Sequence, residues 1–159
     1  MKLSEDLRRA MRKWATGVTV VAAAVDGQRH GMTVSSFTSV SLEPPLVLVA
    51  LRQESRTHAL VERAGHFGVS VLARGQEEIS NRFAGREAED ADRFAGLSTA
   101  TLVTGAPLLE GSLAWFDCRV VRAVPAGTHT IFLAEVVAAR AFDRGAPLLY
   151  FDRQYRSLV

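Results

Sequence analysis

The chain has 159 residues, 48% hydrophobic and 23% charged, enough for one ordinary domain to bury its own core; a disordered tail and a disulfide miniprotein are excluded. Lys+Arg 19 against Asp+Glu 17 leaves a formal charge of +2, with Arg scattered from Arg8 to Arg156, so charge makes no demand for nucleic acid. Cys118 stands alone, which rules out an internal disulfide and a Cys-x-x-Cys metal or redox pair. No apolar run approaches the ~18 residues that span a bilayer, and residues 1–14 mix acids and bases instead of forming an apolar signal core. The expectation is a cytoplasmic domain with no membrane and no nucleic-acid partner.

Leu3, Leu7, Met11 and Trp14 recur at helical spacing behind Ser4 as a cap, with Glu5 and Asp6 in the first turn, and predict an amphipathic helix docked through that stripe. From Thr16 the texture turns β-branched and apolar, GVTVVAAAV, and Asp26-Gly27 supplies the positive φ of a tight hairpin. The return segment runs through Gly31-Met32-Thr33 into the hydroxyl-rich VSSFTSVS. After Pro44-Pro45, Leu46 to Leu51 reads as a fully buried strand. Thr57 caps a short helix through Leu60, Val61 and Ala64, which Gly65 ends. A strand over Phe67–Leu72 and a short helix over Gln76–Phe83 follow. Ala84 to Ala106 is charged, Gly-containing and aperiodic, an exposed excursion too short to separate two domains. Strands over Leu113–Val124, Thr130–Ala139 and Leu148–Phe151 close the chain. Strands joined mostly by turns, with short helices added, predict a mainly antiparallel barrel.

The chain lacks G-x-G-x-x-G, G-x-x-x-x-G-K-[ST], G-x-S-x-G and H-E-x-x-H, which disfavours the familiar α/β nucleotide-binding proteins and hydrolases. His30, His58, His66 and His129 are not spaced as helix-borne ligands, so no metal is expected. The hydroxyls of Thr33, Ser35, Ser36, Thr38, Ser39 and Ser41 suit a phosphate or the edge of a flat heteroaromatic ring, and suit a solvated edge strand equally well. Arg52, Ser55, Arg56 and Thr57 combine cations, hydroxyls and a helix start, a setting that attracts anions but is also found in ordinary surface loops. Cys118, between Phe116 and Val120, reads as a small core residue.

Taken in order, Trp14-Ala15-Thr16-Gly17-Val18-Thr19-Val20-Val21, Asp26-Gly27, His30-Gly31-Met32-Thr33-Val34-Ser35-Ser36-Phe37 and Ser39-Val40-Ser41-Leu42 with Pro45 resemble the flavin reductase family. More narrowly they resemble the small reductase components of two-component flavin-dependent monooxygenases, such as those serving phenol and 4-hydroxyphenylacetate hydroxylases. The likeness continues through Phe67-Gly68-Val69-Ser70-Val71-Leu72, Gln76, Asn81-Arg82-Phe83-Ala84-Gly85, Gly127-Thr128-His129-Thr130-Ile131-Phe132-Leu133-Ala134-Glu135-Val136 and Pro147-Leu148-Leu149-Tyr150-Phe151. It covers nearly the whole chain. What the resemblance implies is one split-barrel domain over residues 1–159, mainly β with short helices and a Greek-key-like antiparallel order. It implies a homodimer that moves hydride from NADH or NADPH to FMN or FAD, the reduced flavin leaving for a separate monooxygenase.

By the same resemblance, Thr33, Val34, Ser35, Ser36 and Ser39 fall where the family meets the flavin ring and ribityl chain, and Ser55, Arg56 and Thr57 near the phosphate. Asn81 and Phe83 belong to the same pocket region. His129, the one catalytic candidate, matches the histidine linked to the nicotinamide nucleotide, and Arg153 and Tyr155 match the C-terminal segment beside it. Two departures stand out. Gly127-Thr128-His129-Thr130 replaces the common Gly-Asp-His-Thr, removing an acidic contact or turn cap, and Leu51-Arg52 offers no diagnostic side chain after the buried strand. Hydride transfer needs positioning and stabilisation of charge on the reduced ring instead of a general base, which agrees with so sparse a set of titratable groups. A non-catalytic flavin carrier or sensor on the same barrel is the competing expectation.

Overall fold

The structure, a computed structural model, describes residues 2–86 and 91–158. Helix α1 (Lys2–Met11) leads into β1 (Thr16–Gly17) and the hairpin of β2 (Thr19–Val25) and β3 (Gln28–Val34). Asp26 and Gly27 turn that hairpin with φ of 53° and 73°, as the sequence predicts. Then come β4 (Thr38–Leu42), β5 (Pro45–Arg52), α2 (Arg56–Ala64), β6 (His66–Val71) and α3 (Glu77–Phe83). After two short strands, β7 (Thr99–Ala100) and β8 (Leu108–Leu109), the 13-residue strands β9 (Ala114–Ala126) and β10 (His129–Ala141) form a long hairpin. The C-terminal β11 (Leu149–Phe151) and β12 (Gln154–Arg156) pair with each other, and β11 with β1.

Seven strands form one antiparallel sheet in the order β3-β2-β6-β9-β10-β5-β4, the split β-barrel that the sequence predicts. Ser36, in the link from β3 to β4, is tied to β5: its hydroxyl donates to the Ala50 carbonyl at 2.8 Å and accepts from the Ala50 N–H at 3.0 Å. Because side chains of a strand alternate between faces, β2 feeds two cores at once. Val21 and Ala23 pack with Val49, Leu51, Phe67 and Phe132 and with Leu60 and Val61 of α2. Val18, Val20 and Ala22 pack on the opposite side with Leu72, Phe83, Phe94 and Leu148. Burying a Phe of this kind stabilises by about 1.5–3 kcal/mol. Gly31 makes the second core reachable, since a Cβ there would stand 3.0 Å from the Phe83 ring and 3.2 Å from Ala22 Cβ. Cys118 is buried in the first core, and burial pushes its thiol up to about 12, so it packs as an apolar residue.

Five expectations change. The α1 stripe does not dock on its own chain: Leu3, Leu7, Met11 and Trp14 are 80, 60, 56 and 69% exposed. Ser4 lies inside α1 instead of capping it. Strand β5 is not covered evenly, because Val47, Val49 and Leu51 are buried while Leu46, Leu48 and Ala50 on its other face are half-buried. The cap of α2 is Ser55, whose Oγ accepts from the His58 N–H at 3.1 Å; Thr57 sits inside the first turn, buried. The excursion after Ala84 is only partly exposed, for Phe94 and Ala106 are fully buried, and its residues 87–90 lie outside the described residues.

Candidate active site along the third strand

Three cavities line up along residues 33–38. The first, about 420 Å³, is walled by Thr33, His30, Arg52, Ser55, Arg56, Thr57, Phe83 and Arg93. The next, about 140 Å³, takes Thr33, Val34 and Ser35 together with Ser80, Asn81, Tyr150 and Tyr155. The largest, about 810 Å³, continues from Ser35 through Ser36, Phe37 and Thr38 to Trp14, Tyr150 and Arg153. Thr33 belongs to the first two, and Ser35 and Tyr150 to the last two, so one run of chain connects all three. Six residues of extended chain reach about 20 Å at most.

The polar end is built on α2. Ser55 Oγ donates to the Arg52 carbonyl at 2.8 Å while accepting from His58, which fixes the first turn and leaves neighbouring N–H groups for an anion. Thr57 is held from below: its Oγ1 is 2.8 Å from His30 Nδ1 on β3. Arg93 donates to the Gly31 carbonyl at 2.9 Å and the Phe83 carbonyl at 3.2 Å, so its charge is fixed beside β3 and the end of α3.

The middle cavity is ordered by a hydroxyl chain. Thr33 Oγ1 donates to the Ser80 carbonyl at 2.6 Å, and Tyr155 Oη lies 2.8 Å from both Ser80 Oγ and Asn81 Oδ1. A phenol has one proton and the Asn81 oxygen accepts only, so Tyr155 donates to Asn81 and accepts from Ser80. The amide of Asn81 is thereby oriented, with its NH₂ left for the cavity it lines. Tyr150 meets the Tyr155 ring edge-on at 5.4 Å.

The large cavity is framed by an ionic clasp. Asp152, in the turn between β11 and β12, contacts Arg12 and Lys13 at 2.9 Å each, and its N–H donates to the Arg12 carbonyl. The hydrogen bond from Lys13 holds the Asp152 carboxyl below its usual range. This contact fastens the end of α1 to the segment carrying Arg153 and Tyr155.

The predicted residues therefore divide. Thr33, Ser55, Arg56, Thr57 and Phe83 converge on the first cavity; Thr33, Val34, Ser35 and Asn81 on the second; Ser35, Ser36 and Arg153 on the largest. Tyr155, expected beside the nicotinamide nucleotide, meets Asn81 in the middle cavity. Ser39 is exposed on β4 and lines none of the three, and neither does His129. His129 sits exposed at the start of β10, opposite Arg52 of β5. Its Nδ1 is 2.9 Å from Thr128 Oγ1, so the residue standing in place of the family's acid supplies a hydroxyl partner. Its carbonyl accepts from Gln53 Nε2 at 2.8 Å. Sequence reasoning passes over Trp14, Phe37, Tyr150, Ser80 and Arg93 as wall residues, and His30 as the support of Thr57. The period-2 spacing His30-Met32-Val34 is the signal that puts that histidine on the face toward α2.

Among the described residues no group of three or more His, Cys, Asp or Glu is placed to hold a metal ion, and no helix is long and apolar enough to cross a membrane. The sequence matches the model of the flavin reductase like domain over residues 11–159. It is 41% identical over 151 residues to the NADH-dependent flavin reductase StyB of Pseudomonas fluorescens, covering 93% of this chain and 86% of that protein. It is 38% identical over 157 residues to the reductase component of 4-hydroxyphenylacetate 3-monooxygenase of Thermus thermophilus, covering 99% and 98%. The fold superposes with a TM-score of 0.91 on the NADH:FAD oxidoreductase SgcE6 of Streptomyces globisporus in complex with NAD and FAD fragments, at 36% identity, covering 99% of this chain and 94% of that one.

Proposed function

This chain belongs to the flavin reductase like family, and we propose on that premise that it is an NAD(P)H:flavin oxidoreductase whose reduced FMN or FAD serves a separate monooxygenase. The observation that carries the reading is the alignment of three cavities along residues 33–38, with a cationic helix start at one end and aromatic walls at the other. A flavin brings a ring that accepts hydride from the nicotinamide, and the protein has to place the two reactants.

The fit is chemical. Ser55, Arg56 and Thr57 meet the demand of a phosphate for N–H donors and positive charge. Backbone N–H groups of residues 35 and 36, just past the end of β3, and the amide of Asn81 offer donors to the carbonyl edge of a flat ring, where negative charge grows on reduction. Trp14, Phe37 and Tyr150 give apolar area for stacked rings and keep bulk water from the contact. His129, held by Thr128 at the start of β10, is the residue assigned to orienting the nicotinamide nucleotide, and Arg153 meets that nucleotide in the large cavity. No side chain here needs to abstract a proton, so catalysis rests on proximity.

The exposed Leu3, Leu7, Met11 and Trp14 stripe is the face on which a second copy packs, making the working unit a homodimer in the reducing cytoplasm. Exposed Val40 and Leu42 add apolar area of the same kind. Anaerobic mixing with FMN or FAD and NADH or NADPH, followed by the loss of oxidised-flavin absorbance, tests the assignment. Catalytic bleaching supports it, and bound flavin that no donor reduces would return the chain to a carrier or sensor.

A further inference from the structure

Behind the phosphate end lies another cavity, about 280 Å³, that shares His30, Arg56 and Arg93 with the first and continues to Arg29 and Phe94. We propose that the partition at His30 receives the second phosphate of FAD, with the adenosine beyond it, so that this protein favours the dinucleotide flavin over FMN. The inference rests on the flavin reductase reading and deepens it.

The key group is His30 itself. It is only 6% exposed, its Nδ1 is taken by Thr57 Oγ1 at 2.8 Å, and its buried Nε2 has no partner among the described residues. An unsatisfied buried donor or acceptor is costly, so a ligand atom that meets Nε2 is favoured. If Thr57 donates to Nδ1, Nε2 carries the proton and offers it to an anion. The electrostatics agree, since burial, Arg93 and Arg56 together hold the ring neutral, with its pKa at about 4. Arg56 and Arg93 line both cavities, and their charge is what attracts a phosphate to this partition. FMN ends at the first phosphate, which the Ser55–Thr57 turn already serves, and leaves His30 unmet. Farther along, Arg29 stacks over Phe94 with its guanidinium 4.7 Å from the ring centroid and pairs loosely with exposed Asp92 at 3.5 Å. That planar cation suits an adenine face.

NADH also carries an adenosine diphosphate, so the test separates the two sources. Fluorescence titration of the purified enzyme with FAD and with FMN, alongside steady-state KM values for each flavin and for NADH, is expected to give FAD at least about tenfold tighter binding. His30→Gln is expected to remove most of that preference, raising the FAD dissociation constant several-fold more than that of FMN. Arg29→Ala, a surface change that leaves the His30–Thr57 contact intact, is expected to shift the same ratio in the same direction. Equal affinity for the two flavins in the wild type, or variants that weaken both alike, overturns the proposal. So does a His30→Gln enzyme whose KM for NADH rises with FMN as acceptor while the flavin ratio stays put, because the site then belongs to the hydride donor. Tighter FAD binding without any reduction would leave the site standing and sink the reductase reading; absence of binding by either flavin would sink both.

Discussion

His30 links the candidate site to stability. Its ring is neutral in the fold, with a pKa of about 4, against 6.5 for the same group in an unfolded chain. Between these values the unfolded state binds a proton that the folded state does not, so acid favours unfolding. The stabilisation is fully present above pH 6.5 and is lost as pH falls toward 4. The whole displacement corresponds to about 3 kcal/mol, of which about 2 kcal/mol is gone by pH 5. His30→Gln has no such proton to bind. Urea unfolding of both proteins from pH 7.5 to 4.5 isolates the effect, since every carboxylate and His66 is common to the pair. The wild type is expected to lose about 2 kcal/mol more than the variant over the step from pH 7 to 5. Parallel stability curves for the two proteins would refute the buried, neutral assignment. Saturating phosphate or FAD is expected to shrink the loss, because an anion at Nε2 stabilises the protonated ring.

Removing the α2 cap with Ser55→Ala is expected to cost about 1 kcal/mol, read as a fall of about 2–4 °C in melting temperature, and to raise KM for FMN more than for phosphate-free riboflavin. An equal rise for both flavins would separate Ser55 from the phosphate. Tyr155→Phe deletes the proton that holds Asn81 Oδ1. The expected result is a several-fold rise in flavin KM with about 1 kcal/mol of lost stability, and unchanged flavin kinetics would show that Asn81 needs no such hold. Phe83→Ala empties the second core under Gly31, and chemical denaturation should register a loss of about 3–5 kcal/mol. Leu7→Glu puts a charge in the exposed α1 stripe, and analytical ultracentrifugation should show a dimer becoming a monomer; a wild type already monomeric at micromolar concentration would count against that interface.

Much of this protein is written in local pattern. The positive φ demanded by Asp26-Gly27, the apolar runs of β2 and β6, and the helical spacing ended by Gly65 are short-range properties, decided by sterics and periodicity within a few residues. They are enough to predict an antiparallel β fold with short helices. The ordered motifs carry the family as well, and with it the region between Thr33 and Ser36 and the Ser55–Thr57 turn. Local pattern misleads where two polar residues compete for one role. Ser55 and Thr57 both suit a cap, and only the packing of α2 against His30 decides that Ser55 caps and Thr57 is buried.

The tertiary structure decides what distant residues share. Tyr155 and Asn81 are 74 positions apart and meet because Tyr155 of β12 reaches α3, which sets both in the wall of the middle cavity. The Asp152 clasp to Arg12 and Lys13 spans 140 and 139 positions. The amphipathic stripe of α1 is plain in the sequence, but only the fold reveals that it stands exposed among the described residues. The same holds for His30: composition supplies a histidine, while its burial, its displaced pKa and the cavity on either side exist only once β3, α2 and Arg93 have closed around it. Backbone propensity acts over a few residues, whereas burial and electrostatic potential are sums over groups brought together through space, and that is where the chemistry of this site is set.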